Sequence, residues 1–310
     1  MTRRLPGCRL TVFWLGLFWL CLSVAGAAAP GMKRATALPR PRPVFALALG
    51  GGAALGYAHL GVLEVLEAEG LRPDLVLGSS MGSIVGGCYC AGLSLETITA
   101  EAEGLRLGKL IDWQMGGLGF FEWGKVRRRL TPRLGGVRLE DCRIPMICVA
   151  TDLLTGERLL LDHGPLLDAM LASAAIPGLY EPVRWEGRLL VDGGLVDEVP
   201  VLSAREAGAD IVVAVDVSHP LLGSEINGPF DVMRQAYFII QMHNVEQRRQ
   251  LADMMIRPDL AGLDFQAFDE VERARFVGRE AARRALPELR ALLKARGWRQ
   301  RGDARPAARH

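Results

Sequence analysis

Apolar residues come in short runs from residue 44 onward, and stretches with helical spacing separate them. "VFALAL" (44–49) leads through a glycine loop into an amphipathic pattern ending at Gly70, and "DLVLG" (74–78) leads into a second helical stretch. Short apolar runs bounded by turn residues read as strands, whereas apolar positions repeating every three or four residues read as helices. The strand signal recurs at "MICVATD" (146–152), "ERLLL" (157–161), "RLLVD" (188–192), "DIVVAVDV" (210–217) and "MMIRP" (254–258), and a final helix is predicted near 269–295. Strand, helix, strand, helix brings parallel strands together under helices on both faces. The runs flanking "LLTGE" (153–157) read as a hairpin, so the predicted class is α/β with a mixed, mostly parallel central sheet sandwiched by helices.

The first residues follow a different pattern. Arg3, Arg4 and Arg9 precede an uncharged apolar run, Leu10 to Val24, and "AGA" (25–27) supplies small residues, the order of a secretory signal peptide. The uncharged stretch extends to Ala29, which leaves an uncleaved N-terminal anchor as the alternative. Either version predicts an exported domain, periplasmic or membrane-anchored, facing outside the cytoplasm. The expected organisation is 1–27 signal peptide or anchor, 28–43 basic Pro-rich linker, 44–296 catalytic domain and 297–310 disordered basic tail.

Composition narrows the partners. With 37 basic against 35 acidic residues the net charge is +2, too balanced for a nucleic-acid partner. Cys88, Cys90, Cys142 and Cys148 sit in apolar settings that predict buried free thiols, and no Cys/His spacing suits a metal.

Chemistry is concentrated in two glycine-bearing turns. In "VLGSSMGS" (76–83), Gly78, Ser80 and Gly82 form Gly-x-Ser-x-Gly between a strand and a helix, the context of a nucleophile elbow. Upstream, Gly50, Gly52 and Gly56 are one residue too widely spaced for a dinucleotide loop, the next strand ends without a ribose-binding acid, and no Gly-Lys-Ser/Thr follows, so no cofactor is expected. Adjacent turns at the carboxyl ends of parallel strands instead let the glycine loop aim backbone N–H groups at an oxygen held over Ser80. For the base, Asp152, Asp192 and Asp216 all end strand runs and His219 follows one; spacing alone leaves the choice open. In "LIDWQMGGLGFFEWGKVRRRL" (110–130), aromatics beside cations suit either a docking surface on anionic lipid or a capping loop followed by a helix with a solvated basic face.

Taken in order, "GGGAALGYAHLGVL", "GSSMG", "ATDLLTGERLLLDHGPLLDAMLASAAIPGLYEPV" and "VDGGLVDEVPV" resemble successive blocks of the patatin-like phospholipase family over about residues 44–293. The resemblance implies a three-layer patatin-like fold and a dyad in which Ser80 attacks an acyl ester and Asp192, leading the Asp-Gly-Gly motif with Gly193 and Gly194, takes its proton. It assigns the oxyanion hole to Gly51, Gly52 and Ala53, and implies a phospholipid or lysophospholipid substrate met at a membrane surface, with no cofactor. One departure is Leu55, where the family usually carries Arg or Lys. A carboxylesterase with a Ser80–His219 triad and a non-catalytic lipid-binding module are the competing expectations, and the oligomeric state is left open. Because a carboxylate ionises near 3.9, a base of this kind is expected to keep the enzyme active below about pH 6.

Overall fold

The computed structural model describes residues 42–300 except 104, 106–107, 109–111, 114–116 and 219–225; the described residues belong to one unit, Pro41–His310. The expected signal or anchor, most of the linker, His219 and residues 301–310 lie outside them.

An eight-stranded sheet forms the middle layer. Five parallel strands, β10 (Met254–Ile256), β9 (Ile211–Val215), β1 (Phe45–Leu49), β2 (Leu75–Ser79) and β4 (Met146–Asp152), run side by side in that order. The antiparallel strands β8 (Arg188–Asp192) and β7 (Val183–Trp185) continue it, and β5 (Arg158–Leu161) pairs back on β4 as the predicted hairpin. The mixed, mostly parallel architecture is as expected. Three short strands carry too few residues for a periodic signal: β7, and the two-stranded ribbon of β3 (Gly119–Phe121) with β6 (Gly178–Tyr180).

Alternation along β1 builds both interfaces. Phe45, Leu47 and Leu49 enter the larger core cluster with residues of α1 (Ala58–Ala68), α2 (Met81–Cys90), α5 (Leu166–Ser173) and α9 (Val271–Ala295). Ala46 and Ala48 face a smaller cluster with Val201 and Ala204 of α7 (Val201–Glu206) and Val245 of α8 (Pro229–Arg248). Large side chains on one face and alanines on the other give three layers of unequal depth. Between β2 and β5, α3 (Leu95–Glu103) and α4 (Gly124–Leu134) flank the larger side.

Two expected boundaries shift. Trp298, assigned to a disordered tail, is buried, donates from Nε1 to Asp74 Oδ2 at 2.9 Å and meets the Phe45 ring edge-on. The ordered domain therefore extends past 296, because a tryptophan with its N–H satisfied contributes more apolar burial than a tail loses in entropy. At the other end Arg42, assigned to the linker, donates to the same Asp74 carboxylate. As expected, Cys88, Cys90 and Cys148 are buried free thiols, while Cys142 is half-buried.

Candidate active site

Three chain segments converge where β1 and β2 end. The first is the elbow: Ser80 follows β2 directly and precedes α2 with φ 51° and ψ −123°, a strained backbone for a residue with a side chain. That conformation is held from several sides. Ser80 N donates to Ser173 O and Oγ at 3.1 Å, while Ser83 Oγ donates to Ser80 O at 2.6 Å. Gly82 allows the first turn of α2 to press on β1, since a Cβ there would collide with the Leu49 carbonyl.

The second segment delivers the carboxylate by register. Ser79 at the end of β2 pairs with Val149, but β4 runs on to Asp152, and β8 pairs antiparallel with that overhang, placing Asp192 opposite Ala150. The returning strand thus brings Asp192 down to the level of the serine. Ser80 Oγ donates to Asp192 Oδ2 at 2.8 Å, across 112 residues of sequence. The other oxygen, Oδ1, accepts the Gly194 N–H at 2.8 Å. Gly193 passes so close to β4 that a side chain would strike the Val149 carbonyl, which explains the glycine after the aspartate. Asp192 is wholly buried, and burial pushes its carboxyl up to about 6 against the opposing hydrogen bonds of Gly194 and Ser80 and the nearby Tyr237 hydroxyl. A base at this site would therefore begin to protonate near pH 6 rather than near 3.9, which bears against the expectation of activity below about pH 6.

The third segment is the glycine loop. Gly50 N donates to Val215 O and Gly51 N to Glu198 O, both at 3.0 Å, and Ala54 N donates to Phe265 O. The donor role expected of Gly51 therefore fails in this conformation, because its N–H is already spent on the Glu198 carbonyl. Gly52 (φ 156°) and Ala53 (φ 48°) turn the chain in conformations rare for side-chain-bearing residues, and among the described residues their amides have no backbone acceptor. Leu55 is 1% exposed inside the core, so the position that usually carries a cation in the resembled family is here part of the apolar packing.

Other candidates fall away from this constellation. Asp152 accepts from Arg188 and Asp216 from Arg257, each as part of an ion pair. Nor do His163 and His243 join it: His163 is exposed between Asp162 and Glu186, and His243 is exposed on α8 beside Gln247. Several supporting residues escaped the sequence reading. His59, wholly buried, donates from Nε2 to Gly50 O at 2.8 Å; burial lowers it to about 4 and keeps it neutral. Glu198 has its carboxylate 2.6 Å from where a Gly51 Cβ would stand, and accepts from Gln241 Nε2 at 2.8 Å. Burial first, and then the charges of Asp192, Asp216 and Asp197, push Glu198 well above the usual carboxylate range. No periodicity marks these positions, because each is defined by what it touches across the fold.

An apolar cavity of about 140 Å³ opens from Ser80 between α2, α3 and α4. Tyr57, Ile84, Val126, Leu130 and Phe268 line it, with Arg129 and Glu101 in its wall. In the 110–130 segment, Phe121 and Trp123 turn inward and are buried, whereas Trp113 and Phe120 are exposed. Its arginines are matched: Arg127 with Asp168, Arg128 with Asp112 and Arg129 with Glu101.

Comparisons with known proteins bear on the family and the fold. A family profile described as patatin-like phospholipase matches residues 47–205. An uncharacterized NTE family protein of Mycobacterium bovis is 38% identical over 193 residues, covering 61% of this chain and 53% of that protein. Lysophospholipase NTE1 of Candida glabrata is 28% identical over 264 residues, covering 73% of this chain and 15% of that protein. The chain spans about half the length, or less, of these curated relatives. Among solved structures, VipD from Legionella pneumophila has a similar fold, with TM-score 0.51 and 16% identity over 80% of this chain and 67% of that one.

Proposed function

The chain belongs to the patatin-like phospholipase family, and on that premise we propose that it is a serine lipid acyl hydrolase of phospholipase A or lysophospholipase type. The observation that carries this reading is the Ser80 Oγ to Asp192 Oδ2 hydrogen bond. Ser80 Oγ attacks the ester carbonyl carbon while its proton passes to Asp192 Oδ2. The carbonyl oxygen takes up negative charge, and the N–H groups of Gly52 and Ala53, with the amino end of α2, are its proposed stabilisers. Gly51 instead fixes the loop. Collapse of the tetrahedral intermediate breaks the bond to the alcohol, which leaves with the proton from Asp192; water then attacks the acyl-serine, giving its proton to Asp192, and collapse of this second intermediate breaks the Ser80 Oγ–acyl bond, with Oγ taking the proton back from Asp192 as the fatty acid leaves. The apolar cavity beside Ser80 supports a long acyl chain as the group held during these steps. The substrate is accordingly a phospholipid or lysophospholipid at a membrane surface.

Hydrolysis of a panel of phospholipids, lysophospholipids and soluble short-chain esters by wild type, Ser80→Ala and Asp192→Asn tests this. Both variants are expected to lose activity on every ester by at least about a thousandfold. Retained hydrolysis in Asp192→Asn would remove the dyad. Retention there with loss on His219→Ala would favour the triad esterase, and a serine-reactive fluorophosphonate that fails to label folded wild type would favour a binding module.

A further inference from the structure

Helix α8 carries its polarity inside out. Its inner side is largely polar apart from Val245 in the smaller core cluster: the Tyr237 hydroxyl and the Gln241 amide close over Gly194, Asn244 Nδ2 donates to Leu195 O at 2.9 Å, and Arg248 pairs with Asp197. Its outer side is apolar, with Val232, Met233, Ile239, Ile240 and Met242 all exposed, Met233 to 60%. The one charged residue between Val232 and Met242, Arg234, lies over the Phe265 ring and pairs with Asp231. A helix covering a core normally shows water its polar side, so this stripe is apolar surface left for something else.

The stripe is continuous with the mouth of the cavity. The Met233 methyl lies 3.7 Å from where a Gly178 Cβ would stand, and Gly178 pairs with Gly119 in the β3–β6 ribbon. Phe120 and Leu118 project from this ribbon, 53% and 59% exposed. Through Phe121 and Tyr180, which packs against Trp123, the same ribbon is joined to the cavity wall leading to Ser80. The exposed Arg128 and Arg249 are paired with Asp112 and Glu246, so the surface charge near the stripe is balanced.

We propose that the outer stripe of α8 and the β3–β6 ribbon form one docking face that seats in the surface of a phospholipid bilayer and feeds single lipids to Ser80. The proposal rests on the lipid acyl hydrolase reading. A bilayer fits better than a second copy of this chain, because a protein seated here would cover the entrance the substrate uses, whereas a bilayer supplies the substrate through it. Exposed apolar side chains of this size gain by entering the interface.

The test uses the full-length chain. Val232→Asp with Ile239→Asp, and separately Phe120→Asp, are expected to lower hydrolysis of vesicle-borne lipid by about tenfold or more, with soluble short-chain ester hydrolysis within about twofold of wild type. Hydrogen exchange on Ser80→Ala protein, with and without vesicles of phosphatidylcholine and phosphatidylglycerol, gives a readout that needs no activity: vesicles are expected to protect 229–243 and 117–121. Unchanged vesicle hydrolysis in the variants together with no protection overturns the docking face. So does protection of 229–243 without vesicles in a dimer that the substitutions dissociate, since the occupant is then a second copy. If wild type cleaves neither kind of ester, the hydrolase reading fails and the exchange experiment still decides the docking face.

Discussion

Asp192 and Asp197 are separated by one turn of chain, and both are fully buried, yet they are opposite kinds of carboxylate. Asp197 is surrounded by compensation: Arg248 Nη1 at 3.0 Å, Arg158 Nη1 at 3.7 Å, and the Ser203 hydroxyl donating at 2.5 Å. Asp192 receives the Ser80 hydroxyl and one amide, and among the described residues no arginine or lysine pairs with it. Burial raises both carboxyls, but at Asp197 the Ser203 hydroxyl and the two guanidiniums oppose it, and the ion pairs fasten its loop. Asp192 has no cation among the described residues to oppose its burial, so its site leaves an oxygen free to take a proton from Ser80, as a base must. Asp152 and Asp216, paired with Arg188 and Arg257, fall on the structural side of the same divide.

Activity gives the largest separation. Asp192→Asn is expected to reduce ester hydrolysis by roughly a thousandfold or more while the protein stays folded, whereas Asp197→Asn is expected to retain turnover within about tenfold per folded molecule. Comparable losses in both, measured on a soluble ester, would erase the distinction.

Stability should move the opposite way. Asp197→Ala leaves Arg248 and Arg158 facing a buried gap and is expected to cost about 3–5 kcal/mol. Asp192→Asn should instead stabilise. The folded Asp192 carboxyl sits above its unfolded value, so its contribution to stability is present at acid pH and is lost as pH rises through about 6. A rise from 3.8 to about 6 corresponds to up to about 3 kcal/mol recovered by Asn at neutral pH and to no gain below the unfolded value. Thermal unfolding of both variants across that range checks the sign; a destabilised Asp192→Asn would mean that its two hydrogen bonds outweigh its burial.

The same raised carboxyl sets the acid limb. Hydrolysis is expected to fall tenfold per pH unit below about 6, as Asp192 protonates, and this limb should persist in His219→Ala. A limb at this pH does not by itself indicate a histidine.

The two aspartates also show which parts of the site the sequence could disclose. The elbow was legible because its information is local: a strand, two glycines at fixed spacing and a helix all lie within a dozen residues of Ser80. The glycine loop was legible as a loop, but Gly51 could not be told from Gly52, because what separates them is a hydrogen bond to the carbonyl of Glu198, far along the chain. Asp192 was singled out from Asp152 and Asp216 only by family resemblance. Its physical mark, the lack of a cation, depends on where Arg188, Arg257 and Arg248 end up in three dimensions. The inverted polarity of α8 was hidden for the same reason, since an apolar stripe reads as core until the fold shows which side faces the protein.

The smallest effect is the most discriminating. Glu198 adjoins Asp192, among the described residues no arginine pairs with it, and its burial and then the surrounding carboxylates push its carboxyl well above the usual range. Glu198→Gln keeps the shape and fixes the uncharged form that this environment favours, so it is expected to leave turnover within about twofold and the acid limb unmoved. The difference should come where rising pH ionises Glu198. In wild type, ionisation of Glu198 would place a negative charge under the Gly51 turn and beside Asp192, opposing the oxyanion that the loop must stabilise, and activity should decline; the Gln variant should hold its rate there. If Glu198→Gln instead moves the acid limb down by a pH unit or more, Glu198 is charged in the working protein. Asp192 would then be raised by a neighbouring anion as well as by burial, and the contrast with Asp197 would rest on two coupled carboxylates rather than on one uncompensated base.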